Sequence, residues 1–281
     1  MKNLSHTFSL SVCAAVALFA PSIVRATIIY QDDFSGTAGS LMQGRSPDVV
    51  NTTGDTYTSS SSSYQVNGSG LMVATPAAAG QVNLALPAIS LGDVITLTAS
   101  IRPAGTGWIA LGFTQNSSSS LSGAGSAWAL LNGEGSANAG KVAVWSGPGT
   151  TSGSRVYLSS SAESGYNGAS PSTFTLSYNT GTGIIDVSLG GITVYNGSLS
   201  YNGVAGAAAP LSALQFAEIQ FFGQNAGSSA TPGYVDNFTV AVTAVPEPAT
   251  YGLCVVGFLF ALVLSKRRAT HENAVYSSNP S

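Results

Sequence analysis

Cysteine and histidine are almost absent from this sequence of 281 residues, and the few that occur lie near its ends. The two histidines are His6 and His271, and the two cysteines are Cys13 and Cys254. The long central part of the chain therefore contains no Ser-His-Asp or Cys-His catalytic arrangement, no site for zinc or copper built on His or Cys, and no disulfide bond.

Charged residues are also scarce, at 7% of the chain, although 44% of the residues are hydrophobic. This combination excludes a coiled coil and a charge-rich disordered protein. Residues 27–243 contain four positive and ten negative side chains, which gives a net charge of −6. Because no basic stripe is available to bind phosphates, we predict no nucleic-acid partner.

Residues 1–26 have the three parts of a secretory signal peptide. Lys2 gives a positive start, residues 8–20 form an apolar stretch, and Val24 and Ala26 occupy the small-residue positions of a cleavage site. We predict that signal peptidase cleaves after Ala26, with cleavage after Ala20 as the alternative. The mature protein is then exported.

A second apolar segment, residues 249–264, predicts one transmembrane helix near the C-terminus. Its length of roughly 24 Å is short of the ~30 Å hydrocarbon core but suffices for a thin membrane. The basic cluster at 266–268 follows directly and favours the cytoplasmic side, so the preceding domain lies outside. Residues 269–281 then form a short cytoplasmic tail.

Residues 244–268 resemble the PEP-CTERM sorting signal of Gram-negative bacteria, although the tail after the basic cluster is longer than usual for such signals. The matching residues are Pro246, Glu247, Pro248, Lys266, Arg267 and Arg268. The resemblance implies that an exosortase, a membrane cysteine protease, removes the span. Before this cleavage the C-terminal span anchors the protein in the inner membrane, with the domain in the periplasm. Afterwards the domain reaches the cell surface or the extracellular matrix. The alternative is a plain membrane anchor with a proline-stiffened stalk.

Residues 27–243 have the short alternating runs of β-strands and no helical period. In the clearest run, Ile95, Leu97, Ala99 and Ile101 share one face, and small hydroxyl residues occupy the other. About a dozen such runs predict an all-β, two-sheet sandwich. Gly190 and Gly191 predict a tight hairpin turn, because both positions of a primed turn need positive φ.

The order of these runs resembles jelly-roll domains of the concanavalin A-like lectin and laminin-G type. The resemblance is carried by residues 32–34, 174–178, the glycine hairpin at 184–195, and residues 235–238. It implies glycan binding, and in some members glycan cleavage. The Glu-x-Asp-x-x-Glu strand of the hydrolases with this fold does not occur here, so we predict a domain that is not an enzyme.

Two tryptophans are candidates for a glycan platform. Trp108 and Trp145 alternate out of phase with the aliphatic residues of their strands, so both are expected to point away from the main core. An exposed indole face stacks well on the C–H face of a sugar. The alternative is that both side chains cover the edges of the core.

Four oxygen-bearing side chains predict a structural calcium site if the first and last strands pair. They are Asp32, Asp33, Asp236 and Asn237. The alternative is that these side chains cap turns through their own backbone. No other cofactor is expected.

Together these features predict an exported, exosortase-sorted protein of the cell surface or extracellular matrix. Its sandwich is interpreted as a non-catalytic polysaccharide-binding module, with the exopolysaccharide of a Gram-negative bacterium as partner. Two alternatives remain open: a purely structural biofilm or adhesion protein without a glycan site, and a glycan-cleaving enzyme of the concanavalin A-like fold.

Overall fold

The computed structural model describes residues 25–52, 55–60, 62–74, 80–115, 121, 126–146, 155–168, 170–198, 214–222, 233–245, 257, 260–262 and 264. Contacts divide the chain into two units. One unit is Ala26–Ala244, and the other joins Met1–Arg25 to Val245–Ser281.

Every described strand belongs to the unit Ala26–Ala244. The strands are β1 (Ala26–Asp32), β2 (Val49–Val50), β3 (Thr58–Ser59), β4 (Tyr64–Val66), β5 (Met72–Ala74), β6 (Gly80–Ala85), β7 (Val94–Arg102), β8 (Trp108–Thr114), β9 (Ser126–Asn132), β10 (Val142–Ser146), β11 (Arg155–Leu158), β12 (Ser172–Asn179), β13 (Ile184–Leu189), β14 (Ile192–Ser198), β15 (Phe216–Phe222) and β16 (Tyr234–Thr243).

The strands form two antiparallel sheets. The nine-stranded sheet has the order β14-β13-β12-β7-β16-β1-β2, with β5 also paired to β16 and β4 paired to β5. The seven-stranded sheet has the order β11-β10-β9-β8-β15-β6-β3. This arrangement confirms the predicted all-β, two-sheet sandwich.

The main hydrophobic core lies between the two sheets and draws on both of them. In β7 the residues Ile95, Leu97, Ala99 and Ile101 are buried and the alternate residues are half-buried, as the sequence pattern predicts. The first and last strands also pair, with Asp32 opposite Phe238.

The seven-stranded sheet departs from simple alternation. Every residue of β9 is buried, and in β15 the five residues from Ala217 to Phe221 are buried in succession. The register of β15 against both neighbours is continuous, so no bulge explains the pattern. Both faces of this sheet are therefore covered, as expected for strands that carry apolar side chains on each side.

The glycine hairpin closes as predicted, since Gly190 and Gly191 have φ values of 60° and 80° and Leu189 lies opposite Ile192. Its register is less regular than the pattern suggests, because it shifts between Val187 and Ser188. The strand β14 forms an edge of the nine-stranded sheet and is largely exposed.

The predicted signal peptide and sorting signal fall mainly outside the described residues. In the predicted span, residues 257, 260–262 and 264 are helical. Across the described part of the chain, the helical residues do not make up a helix with the length and apolar character needed to cross a membrane.

Candidate functional site

The seven-stranded sheet has an outer face, turned away from the main core, that carries the tryptophans of the chain. Cα partners in neighbouring strands project to the same side, so the register fixes which residues share this face. We call it the aromatic face; its residues are Gln81, Asn83, Trp108, Ala110, Gly112, Trp128, Leu130, Asn132, Ala143, Trp145, Glu218, Gln220 and Phe222.

Four aromatic rings of this face form a continuous row. Trp128 stacks on Trp145 with ring centroids 4.4 Å apart and planes 9° apart. Trp108 stacks on Phe222 at 5.3 Å and 13°. Trp108 and Trp128 join the two pairs at 6.0 Å. The row forms because the register places Trp128 opposite Trp145, and Trp108 opposite Phe222.

The two predicted platform residues lie on this face but differ in access to solvent. Trp145 is only 6% exposed, so it does not offer the open ring face that the sequence predicts. The reason is the ring of Trp128, which covers it in a second hydrophobic cluster separate from the main core. Trp108 is half-buried at the edge of that cluster.

The open end of the aromatic row is Phe222, which sequence reasoning missed. Its side chain is 51% exposed although its ring stacks on Trp108. The available signal was its position as the last residue of an apolar strand, where the neighbouring residues cover a side chain least. The most accessible ring surface of the face is therefore at Phe222 and Trp108.

Glu218 is the buried carboxyl group of the aromatic face. It lies in β15 opposite Gly112, and its Oε1 accepts a hydrogen bond of 3.0 Å from the backbone N–H of Leu121. Burial raises the pKa of Glu218 to about 8, and the Leu121 hydrogen bond lowers it only in part. The side chain is thus a neutral acid at pH 7.

Several buried polar atoms of this face lack hydrogen-bond partners among the described residues. They are Oε2 of Glu218, Oε1 of Gln220, and the indole nitrogens Nε1 of Trp128 and Trp145. Leaving a buried donor or acceptor without a partner costs about 1–3 kcal/mol. Such groups in a native fold are typical of a site that takes a ligand or ordered water.

The side chain of Leu121 covers the middle of the face by entering a notch at Gly112. A Cβ atom on Gly112 would lie 2.5 Å from Cδ2 of Leu121 and 2.5 Å from Cβ of Trp128. Ser126 fixes the position by donating its hydroxyl hydrogen to the carbonyl of Leu121. Glycine at position 112 therefore makes room for both covering side chains.

The residues predicted to bind calcium lie away from the aromatic face. Asp32 ends β1 and Asp33 follows it, whereas Asp236 and Asn237 belong to β16. Among the described residues, Asp32, Asp33 and Asp48 bring one carboxylate oxygen each within 4.8 Å of one another. This acidic cluster thus has Asp48 as its third member, a residue that the sequence analysis did not single out. Asp236 is not part of that group. Its pKa is raised, first because the side chain is partly buried and also because of the negative charge of Asp33.

An arginine already neutralises part of this acidic cluster. Arg45 donates from Nη2 and Nε to the fully buried Asp32, at 2.9 and 3.3 Å, and its Nη2 lies 3.7 Å from Asp48. The backbone N–H of Phe34 also donates to Asp32 at 2.7 Å, as in the turn-capping interpretation. Asp32 therefore has its ionic partner within the chain.

The remaining predicted residues are less connected. Asp33 accepts from the backbone N–H of Ser35, and Asp236 accepts from that of Asn237, which is typical of turn capping. Asn237 has a φ of 51° at a register shift between β16 and β7. The sorting-motif residues Pro246, Glu247, Pro248, Lys266, Arg267 and Arg268 lie outside the described residues.

No protein-family model matches this sequence, and no curated protein matches it at a significant level. Solved structures do share its fold. An endo-1,3-beta-glucanase from Streptomyces sioyaensis aligns with a TM-score of 0.51 and 17% identity, over 80% of this chain and 99% of that chain.

Two further structures show weaker likeness. A protein with a galectin-like fold from Bacillus subtilis has a TM-score of 0.48 and 10% identity, over 79% of this chain and 100% of that chain. The lumenal domain of VIP36, solved in a Ca²⁺/Man3GlcNAc-bound form, has a TM-score of 0.44 and 11% identity, over 70% and 87%. The likeness to the glucanase, at 17% identity, shows the fold alone, and function has to be argued from the site.

Proposed function

We propose that the protein is an exported, exosortase-sorted protein of the cell surface or extracellular matrix whose aromatic face binds polysaccharide without cleaving it. The observation that carries the binding proposal is the aromatic row with its unpartnered polar atoms. Sugars present C–H faces that stack on aromatic rings and hydroxyl groups that pair with buried donors and acceptors.

Ligand entry on this face begins at its open end. Phe222 and Trp108 offer accessible ring surface, and Asn132 lies beside Trp108 across the β8–β9 pair. From there the row continues to Trp128 and Trp145, whose indole N–H groups have no partner among the described residues.

The export and sorting part of the proposal rests on the sequence alone. The signal peptide at 1–26 and the Pro-Glu-Pro motif with its basic cluster support passage through the inner membrane and processing by an exosortase. Pulse-chase labelling in a Gram-negative host with and without the exosortase gene tests it. Loss of a mass shift in the mutant host is expected, and identical processing in both hosts would favour the plain anchor.

Affinity electrophoresis of the purified full chain tests the binding proposal. Gels contain a panel of soluble polysaccharides, including the host's own exopolysaccharide. We expect retardation that Phe222→Ala abolishes. The matched control is Ile192→Ala, because Ile192 is equally exposed, at 50%, but lies on the edge strand of the other sheet. Retardation that survives Phe222→Ala, or no retardation at all, contradicts the proposal.

A glycan-cleaving enzyme is the second candidate, and Glu218 is the observation in its favour. A neutral carboxylic acid at pH 7 is suited to act as a general acid. Glycoside hydrolysis also needs a second carboxylate about 5–9.5 Å away. At the described positions of the aromatic face, Glu218 is the only carboxyl group, and its neighbour on the same face of β15 is Gln220. Release of reducing ends that Glu218→Gln abolishes would establish the enzyme.

The calcium site stays a prediction for the acidic cluster. Asp33 and Asp48 provide oxygen ligands, whereas Asp32 is engaged by Arg45. Thermal melts in calcium and in a chelator distinguish a structural ion from turn capping. Turn capping predicts equal melting temperatures in both conditions, and a structural ion predicts a lower melting temperature in the chelator.

A further inference from the structure

The positive charges of the unit Ala26–Ala244 are few, and their placement is uneven. Arg45 pairs with Asp32, and Arg102 lies 3.8 Å from Glu134. The other two cations of this unit are Lys141 and Arg155. Neither makes an ion pair or a side-chain hydrogen bond with any described residue.

Both of these unpaired cations border the aromatic face. The carbonyl of Lys141 accepts from the backbone and side-chain N–H groups of Asn132, so Lys141 extends the row formed by Trp108 and Asn132. Arg155 lies opposite Trp145 across the β10–β11 pair. Both residues are half-buried, so each keeps part of its surface open to solvent.

The aromatic face carries little negative charge of its own. Its one described carboxyl group, Glu218, is buried in a site that favours the neutral form. Among the other acids, Glu163 lies close to Lys141 in the fold, because its backbone N–H donates to the carbonyl of Gly140 and the hydroxyl of Ser159 donates to its Oε1. Lys141 and Arg155 place two positive charges at the border of the aromatic face, in a domain with a net charge of −6, and such a local positive charge favours binding of an anion.

The distance between Lys141 and Arg155 suits a polymeric ligand. Lys141 directly precedes β10 and Trp145 lies within it, four residues further on, which is roughly 13 Å at ~3.3 Å per residue; Arg155 is on the adjoining strand β11. Lys141 lies at the level of Asn132 and Trp108 across the sheet, and Arg155 lies at the level of Trp145, so the cations are separated mainly along the strand direction. An extended polymer spans this distance and can reach both of them.

We infer that the aromatic face selects polysaccharides that carry carboxylate groups, with Lys141 and Arg155 binding the carboxylates and the accessible rings of Trp108 and Phe222 binding the sugar rings. The inference rests on the proposed binding function and names its ligand class. The guanidinium of Arg155 can engage a carboxylate through two parallel hydrogen bonds, and Lys141 acts as a point charge.

Affinity electrophoresis with a matched pair of polymers tests the inference. One gel contains polygalacturonate and the other contains the same polymer with its carboxylates methyl-esterified, so that only the charge differs. The full chain should be retarded about tenfold more strongly by the acid form, because two partly exposed ion pairs each contribute up to ~1 kcal/mol. The preference should weaken as sodium chloride is added.

The variants Lys141→Gln and Arg155→Gln should each remove part of the preference, and together they should abolish it. A position control combines Arg155→Gln with Thr193→Lys, which restores the net charge on an exposed residue of the other sheet. It should behave like Arg155→Gln alone. Thermal melts check that each variant is folded, and the salt titration of the unmodified chain gives an independent readout.

Each outcome bears on a different claim. Equal retardation by both polymers, or an acid preference that the double variant retains, overturns the inference. Binding of neutral polysaccharides alone, lost in Phe222→Ala, overturns the inference and leaves the proposed function standing. Absence of binding to every polysaccharide overturns both.

Discussion

The two outer faces of this sandwich are built from different chemistry, although they belong to sheets of similar size in one domain. The nine-stranded sheet has an outer face of small hydroxyl residues, which we call the threonine face; it includes Thr96, Thr98, Ser100, Thr173, Thr175 and Ser177. On it, Thr96 pairs with Ser177 at 2.8 Å and Thr98 with Thr175 at 3.3 Å.

The aromatic face has the opposite character, because it buries large rings and a carboxyl group and leaves polar atoms without partners among the described residues. The threonine face pairs hydroxyl groups across strands, and its residues are half-buried except for Thr173, which is exposed. A face that only needs to remain soluble can be built in this way. The proposed ligand binding would account for the energetic cost of the unpartnered polar atoms on the aromatic face.

The largest expected contrast between the faces is in stability after loss of an outward-pointing side chain. Trp128→Ala should lower the free energy of unfolding by about 3–5 kcal/mol, because it removes the fully buried ring at the centre of the second cluster. Thr98→Ala on the threonine face should cost about 0.5–1.5 kcal/mol, the value of one hydrogen bond. Urea denaturation of both variants measures the difference, and equal losses would contradict the contrast.

The next largest effect is on how the free energy of unfolding depends on pH. The pKa of Glu218 is raised from 4.5 to about 8 in the folded protein, so folding favours the protonated form. Its stabilising contribution is complete below about pH 4.5, falls as the pH rises above that value, and is lost at about pH 8.

Glu218→Gln should therefore raise the free energy of unfolding at pH 8, on the order of a few kcal/mol, and flatten its dependence on pH between these limits. The matched control is Asp186→Asn, which removes an acid from the outer face of the nine-stranded sheet and should leave the pH dependence in place. An unchanged pH profile in Glu218→Gln would mean that another group titrates in this range.

A smaller effect is expected at the notch. Gly112→Ala places a Cβ where Leu121 and Trp128 already meet, and it should lower the free energy of unfolding by about 1–3 kcal/mol. Ser100→Ala, at a half-buried position of the threonine face, should change it by less than about 0.5 kcal/mol. Chemical denaturation compares them; a neutral Gly112→Ala would show that Leu121 does not pack in the notch.

The same comparison separates what the sequence reveals from what it conceals. In the nine-stranded sheet, alternation of Ile95, Leu97, Ala99 and Ile101 with threonine is an unambiguous signal, since only one face is buried. The first and last strands also pair, which the calcium prediction took as its condition. In the seven-stranded sheet β15 is buried on both faces, and alternation then carries no information about which side chain points outward.

Prediction of the candidate site from the sequence is limited in the same way. The outward direction of Trp108 and Trp145 followed from parity within each strand. The burial of Trp145 depends on Trp128, which becomes its neighbour only through the register of β9 and β10. Phe222 and Glu218 were not singled out, because their roles arise from pairing with Trp108 and Gly112 across strands that are distant in sequence. Arg45 likewise reaches Asp32 only in the folded chain.

Tryptophan fluorescence provides the most direct test of the central claim, because the chain has three tryptophans and all of them lie on the aromatic face. The full chain would be titrated with each polysaccharide that retards it in gels. The account predicts a change in tryptophan emission that saturates with the polymer and is absent in Phe222→Ala. Retardation by a polysaccharide without any change in emission would place binding elsewhere on the molecule and contradict the account.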